Sequence, residues 1–450
     1  MFKALLPTPF TIAVVLTLLT FFLALLFTRP TDVTVGSYTW DLLGHWEGGL
    51  GGSGGLSFAL QMMLMLVLGH VLAISKPIDR FLNRVVGFCN NTSVAAFFVT
   101  FLTIVFSLFN WGLGLIFGAL FARKVGERST RLNLGINYPL IGAAGYVGLM
   151  VWHGGLSGSA PLKIAEKGGM EKLFEGYALD PQIQAKLPEN VDFSETVFSG
   201  MNITVTLALI ILIPLFMFLI GKVAKTSKVQ AKLMPNTERD QQPHSDVLDQ
   251  EVLPKEKIIG MEKLDYSSVL CLLVGASILL YGILKIFMVE KLSWGFINPN
   301  YINLLLLGLG LVFHLRFSAF LKGVDAAIGG AAGILIQFPL YFGILGIMKG
   351  SGMMTDISNF FVAYSNETSH PIFTFFSAGL VNVFVPSGGG QWAVQGPIII
   401  ESSLQQGLPL GKGIMAMSYG DQLTNMLQPF WALPLLGITG LKARDILPYT

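Results

Sequence analysis

Charge is what this sequence has least of. Asp, Glu, Lys and Arg make up 12% of its 450 residues, about half the share usual in a soluble domain. With 52% of the residues hydrophobic and a mean hydropathy of +0.64, no soluble core has room for so much apolar surface. The net charge is +2 and the basic residues are dispersed, so there is no basic patch for a nucleic-acid partner. Cysteine is scarce: Cys89 and Cys271 lie in different segments, and Cys271, inside an apolar run, reads as a small buried hydrophobe. A P-loop, a dinucleotide fingerprint and a nucleophile elbow are all missing, which leaves ATP-driven transport, cofactor-dependent chemistry and hydrolysis without a motif. His70, His153 and His314 are not spaced as a metal cluster; His70 and His314 fall near span ends, where packing or snorkelling accounts for them.

Long apolar runs are what the chain has in abundance. A crossing needs roughly 17 to 25 residues. Eight stretches qualify: Thr8 to Phe27, Leu56 to Ser75, Tyr138 to Leu162, Ser199 to Gly221, Ser267 to Met288, Phe296 to His314, Ala326 to Met348 and Gly411 to Gly437. The first lacks a small-residue cleavage site and is read as a retained helix, not a signal peptide. Two further runs, 92–122 and 371–400, are interrupted midway by Asn110-Trp111-Gly112-Leu113-Gly114 and by Pro386-Ser387-Gly388-Gly389-Gly390. Each arm is expected to be too short to cross.

Charge bias orients the runs, because cytoplasmic loops carry the Lys and Arg excess. Lys76, Arg80 and Arg84 stand against Asp79 before the first interrupted run, and Arg123, Lys124, Arg128 and Arg131 against Glu127 after it. Both flanks read as cytoplasmic, so the run is expected to be a re-entrant hairpin whose broken tip is buried in protein. Segments 28–55 and 163–198 are richer in acid than base and read as outside, which puts the N-terminus in the cytoplasm. The run 371–400 follows the acid-rich 349–370 and enters from the opposite face. Opposed hairpins indicate an inverted repeat. Gln61 precedes the first tip as Gln337 precedes the second, 61 to 110 being 49 positions and 337 to 387 being 50. A later span broken by small and polar residues follows each hairpin: His153 to Pro161, and Asp421 to Pro434. The fold class expected is an all-α polytopic membrane protein, an inverted-repeat secondary carrier with two re-entrant hairpins and discontinuous helices. Its halves are residues 1–221 and 267–450, joined by a solvated cytoplasmic linker over 222–266.

The chemistry gathers at these four breaks. Gly388, Gly389 and Gly390 let backbone approach a ligand, and a helix starting there aims free N–H groups at an anion. Trp111, Gly112 and Gly114 after Asn110 offer the same from the other side, although glycines in membrane helices also serve close packing. Ser387 and Gln391 border the second tip. His153 lies in a break with Ser157 and Ser159, whose hydroxyls suit a carboxylate or, equally, tight helix contact. Asp421, Thr424, Asn425 and Gln428 recur at i, i+3, i+4 and i+7, one helical face. Asp421 is the one acid in the interior of a span, and its burial points to function; a carboxylate capping a broken helix is the structural alternative. With no Lys or Arg in the breaks, the substrate-binding set is Asn110, Trp111, Gly112, Gly114, His153, Ser157, Ser159, Ser387, Gly388, Gly389, Gly390, Gln391, Thr424, Asn425 and Gln428. Asp421 and Asn425 are assigned to the coupling ion.

The stretches Phe109 to Gly114 with Phe121-Ala122-Arg123, Val385 to Trp392 with Gln395-Gly396-Pro397, and Tyr419-Gly420 with Gln428 to Pro434 resemble the bacterial short-chain fatty acid transporter family over nearly the whole chain. The resemblance implies a multi-pass inner-membrane carrier for acetoacetate, butyrate and similar monocarboxylates. It also implies kinship with the ion transporter superfamily of inverted-repeat carriers, several of which are dimers with an elevator motion. The partners implied are the lipid bilayer, a small monocarboxylate, a coupling proton or sodium ion, and in some relatives a second copy of the chain; no cofactor is implied. Relatives are expected to continue into another apolar helix beyond Thr450, and Ser199 to Gly221 has no counterpart in the second half. A passive anion channel and a membrane-embedded enzyme subunit are the alternatives from other classes. The topology has a direct test: cysteines introduced near Lys76 and near Arg123 should both be labelled from the cytoplasmic side alone, and labelling from opposite sides removes the first hairpin.

Overall fold

The apolar runs fold as helices, and in the computed structural model of the chain no strand occurs among the described residues, 8–166, 168–174, 181–231, 260–288, 299–384 and 386–450. The first half comprises α1 (Pro9–Phe27), α2 (Val35–Leu50), α3 (Ser53–Ala73), α4 (Lys76–Val86), α5 (Thr92–Phe109), α6 (Trp111–Leu132), α7 (Tyr138–Ala144), α8 (Ser159–Ala165) and α9 (Gly200–Val223). The second comprises α10 (Ser268–Met288), α11 (Pro299–His314), α12 (Phe317–Ile328), α13 (Ala332–Gly350), α14 (Met353–Ala363), α15 (His370–Phe384), α16 (Gly388–Gln405), α17 (Leu410–Thr424) and α18 (Pro429–Thr439). Seven helical stretches among the described residues are long and apolar enough to span a bilayer. The chain is an all-α polytopic membrane protein. Outward faces such as Leu207, Ile211 and Leu215 of α9 and Val269, Leu273 and Leu280 of α10 stay apolar and exposed, as lipid requires.

Each interrupted run is two helices: α5 and α6 meet at the one extended residue Asn110, and α16 starts after extended Ser387, beyond the end of α15 at Phe384. The arms of each pair pack on one another. Arm length does not by itself forbid a crossing, however. Helix α5 has 18 residues, about 27 Å at 1.5 Å per residue, and is one of the seven candidate spans. Within segment 28–55, α2 forms and lies on α13, where Gly49 and Gly346 bring the backbones together. The linker expectation falls mostly on 232–259, outside the described residues. Its first residues do not run free: Asn137 Nδ2 donates to Lys225 O at 2.9 Å, and Ala231 is buried against Gly126.

Close approach explains many glycines. A Cβ on Gly118 of α6 would lie 2.2 Å from Gly145 O, and one on Gly145 would lie 2.5 Å from Gly118 O. This double contact seats α7 against hairpin 1 (α5–α6). The middle of α6 and the start of α7 are fastened to the end of α18, whose last carbonyls lack helical partners. Arg123 Nη1 donates to Ile438 O at 2.7 Å, Tyr138 OH donates to Thr439 O at 2.7 Å, and Glu127, 1% exposed, holds Arg123 at 2.9 Å. Cys89 and Cys271 are free and buried. A Gly118→Val variant should lower stability by about 1–3 kcal/mol, read as a fall in detergent melting temperature. Gly48→Ala, where an added Cβ meets nothing within 4 Å, should not; equal melting of the two variants would show that the contact is slack.

Candidate functional site

Helix α7 stops at Ala144 and the chain continues through two 3-10 turns, Val147–Met150 and Trp152–Gly154, before α8 resumes. Helix α17 stops at Thr424, and a 3-10 turn, Asn425–Leu427, leads to extended Gln428 and α18. The polar stripe is therefore not one continuous helical face. Asp421 and Thr424 are on α17, Asn425 opens the turn, and Gln428 lies beyond it. They are united instead by a residue on hairpin 2 (α15–α16). Asn382, fully buried, donates from Nδ2 to Asp421 O at 2.8 Å, Thr424 Oγ1 at 2.9 Å and Asn425 Oδ1 at 2.9 Å. Gln428 returns a bond from Nε2 to Asn382 O at 2.9 Å and also reaches Val383 O. Tyr146 OH faces both Asn425 O at 2.8 Å and Gln428 O at 2.7 Å.

The two middle breaks meet at a fully buried pair. His153 Nδ1 lies 2.6 Å from Asp421 Oδ2, and both side chains are 0% exposed. Ala160 N–H donates to His153 Nε2 at 3.1 Å, so Nε2 carries a lone pair and the ring proton is on Nδ1. The imidazole is thus a neutral donor to a carboxylate. Because Nε2 is taken by an amide, the pair is not built as a base for a serine nucleophile. Asp421 Oδ1 is buried and has no partner among the described residues. Gln422 Oε1 accepts from His153 N–H at 3.0 Å and Gly154 N–H at 3.3 Å, which fixes the ring's backbone.

Hairpin 2 brings its first glycine to this pair. A Cβ on Gly388 would fall 3.0 Å from His153 Cε1 and 3.4 Å from Asp421 Oδ2. At Gly389 it would meet Lys163 Nζ at 3.1 Å and Ser159 Oγ at 3.9 Å; at Gly390, Ser387 Oγ at 3.0 Å. Ser387 caps α16 by accepting Gly390 N–H at 3.2 Å. Lys163 Nζ donates to Gly389 O at 3.4 Å, so the expectation that no cation stands at the breaks is corrected: a residue read as outside loop reaches this tip from α8. Gln391 turns into the hairpin, bonding Ala378 O and Gln395 Oε1, both at 2.8 Å. At hairpin 1, Asn110 Oδ1 caps Leu113 N–H at 3.0 Å, and Trp111 N–H donates to Ser157 Oγ at 2.9 Å. Gly112 lies over Met65 Sδ and Gly114 against Ser107. A Cβ at either position would collide with a residue of a neighbouring helix.

The family described as short chain fatty acid transporter matches residues 1–450. The chain belongs to that family. It is 37% identical over 450 residues to an Escherichia coli strain K12 protein named "Putative short-chain fatty acid transporter", covering 99% of this chain and 92% of the relative. A Haemophilus influenzae protein of the same name is 36% identical over 447 residues, covering 99% and 92%. Membership in this transporter family agrees with the resemblance carried by the break motifs.

Within this member of the family, several site residues escape a reading of sequence. Asn382, Gln422, Tyr146, Lys163 and Asn202 were missed. Asn202 on α9 donates to Gly154 O at 2.8 Å and accepts from Tyr419 OH at 2.8 Å. The available signal was a single amide inside an apolar run, which Asn202 and Asn382 both present. An Asn382→Leu variant strips the donor from two buried acceptors, Asp421 O and Asn425 Oδ1, and from the part-buried Thr424 Oγ1. At about 1–3 kcal/mol for an unpaired buried group, it should lower the melting temperature more than Thr424→Val, which leaves Asn382 its other two partners. Wild-type melting of Asn382→Leu would remove the hub.

Proposed function

We propose that the chain is a secondary carrier of short-chain fatty acids, small monocarboxylates such as acetoacetate or butyrate, and that a proton or a sodium ion travels with the substrate. The substrate class comes from the name borne by the two relatives. Coupling rests on one observation: Asp421 is 0% exposed, has a neutral imidazole on one oxygen and has no partner on the other among the described residues. A lone buried carboxylate costs several kcal/mol, and a substrate carboxylate nearby adds a second negative charge. A cation at Asp421 cancels one of them, so carboxylate and cation cross together with less loss of hydration. Asn425, tied to the same hub, belongs to the ion's surroundings.

The substrate carboxylate is assigned to the tip of hairpin 2, where Gly388 offers bare backbone beside the pair and Lys163 Nζ stands at the mouth. Both hairpins are read as re-entrant, the first from the cytoplasm and the second from outside, with the N-terminus in the cytoplasm of a bacterium and the chain in its inner membrane. The halves form an inverted repeat and move as an elevator, and a homodimer is the assembly this reading favours.

Uptake of labelled butyrate into proteoliposomes, with proton and sodium gradients imposed separately, tests the proposal and identifies the ion. Asp421→Asn should lose gradient-driven accumulation yet keep exchange of internal for external substrate, since exchange needs the loaded carrier alone. Gly388→Val should abolish both; Gly389→Ala, which meets the flexible end of Lys163, should retain most activity. Accumulation by Asp421→Asn against a gradient makes the residue structural, and wild-type flux without counterflow makes the protein a channel.

A further inference from the structure

Three of the four breaks deliver a tryptophan to one place. Trp111 is the first residue of α6 after the hairpin 1 tip, Trp152 opens a 3-10 turn, and Trp431 lies three positions past Gln428. The Trp111 ring centroid is 6.0 Å from that of Trp152 and 5.2 Å from that of Trp431. Phe58 of α3, half-buried, closes the group at 6.1 Å from both Trp111 and Trp431. Behind it Phe338 and Phe430 stack at 3.9 Å. The wall begins at the charged pair: Trp152 stacks on His153 at 4.4 Å, and a Cβ on Gly388 would lie 3.2 Å from the Trp152 ring.

Aromatic clusters are commonly plain core. Two features set this one apart. It is assembled from the ends of broken helices, so the packing of continuous helices does not require it. The indole N–H groups of Trp152 and Trp431 are also buried without an acceptor among the described residues, the two side chains being 3% and 5% exposed. A buried indole N–H ordinarily finds a partner, and as a pure donor it suits an oxygen.

We infer that Trp111, Trp152 and Trp431 form the subsite for the substrate's acyl chain, with the Trp152 and Trp431 N–H groups donating to the oxygen of a 3-oxo group. This rests on the carrier reading above. With the carboxylate at the hairpin 2 tip, the tail runs along the indole faces until Phe58 stops it. That arrangement sets an upper limit on chain length and favours short oxo acids.

Competition of butyrate uptake by straight-chain acids of increasing length, and by acetoacetate, tests it in proteoliposomes of the full chain. Phe58→Ala should shift relative affinity toward hexanoate over butyrate by about tenfold, the effect of a lost or gained methylene-sized space. Phe58→Leu should shift it less, in the same direction, and serves where the alanine variant fails to fold. Trp431→Phe, which keeps a ring and loses the N–H, should raise KM for acetoacetate about tenfold relative to butyrate with kcat little changed. Unaltered length and oxo-acid profiles in folded variants overturn the subsite while leaving the carrier reading standing. Absence of monocarboxylate transport by the wild type overturns both.

Discussion

A backbone that leaves the helix inside a membrane finds no water to bond, so its free N–H and C=O groups must be met by protein. In this chain the four breaks meet one another. Ser157 receives the Trp111 N–H of hairpin 1, and Leu108 O receives the Leu156 N–H at 2.8 Å. Gln422 of the last break receives two N–H groups from the α7–α8 break, while Tyr146 of that break donates to carbonyls of the last. Between hairpin 2 and the last break, Asn382 donates to Asp421 O and Gln428 donates back to Asn382 O. The buried pair of His153 and Asp421 sits inside this reciprocal capping and has its geometry set by it: the ring is held by Ala160 and Gln422 before the carboxylate is considered.

Much of this was legible. Apolar length located the spans, and a glycine- or polar-rich interruption located each break, because both signals are local. Asp421 was legible for an energetic reason, since an acid within an apolar run has to be compensated. Its partner was not, because His153 is 268 positions away and only the packing of two breaks brings them together. Helix α2 lies in a stretch whose charge count gave a side of the membrane and no element, whereas its small residues, Gly49 above all, let it dock on α13. The reach of Lys163 was hidden by counting charge over a segment: it sits near the end of the short helix α8 and its ammonium bends toward a carbonyl of another break. Asn382 and Gln391 look alike in sequence, both being amides in a hairpin arm. The first ties breaks together and the second ties the arms of its own hairpin, a difference set by which side of each helix faces α17.

The glycines divide in the same way. At Gly118, Gly145 and Gly114 the missing side chain makes room for another backbone or for a neighbouring serine, and the gain is close packing. At Gly388 the space borders an imidazole, an indole and a carboxylate, and the gain is access to functional groups. Sequence presents both kinds as the same letter in an apolar run.

Reciprocal capping also constrains how such a protein can vary. A substitution at position 382 that no longer donates leaves acceptors bare at 421, 424 and 425, and one at 422 releases the backbone under the ring at 153. No break can be redesigned alone, because its partners are other breaks and not solvent. A change at this site therefore has to be compensated at the break opposite it, whereas the lipid-facing surfaces of α9 and α10 need only stay apolar.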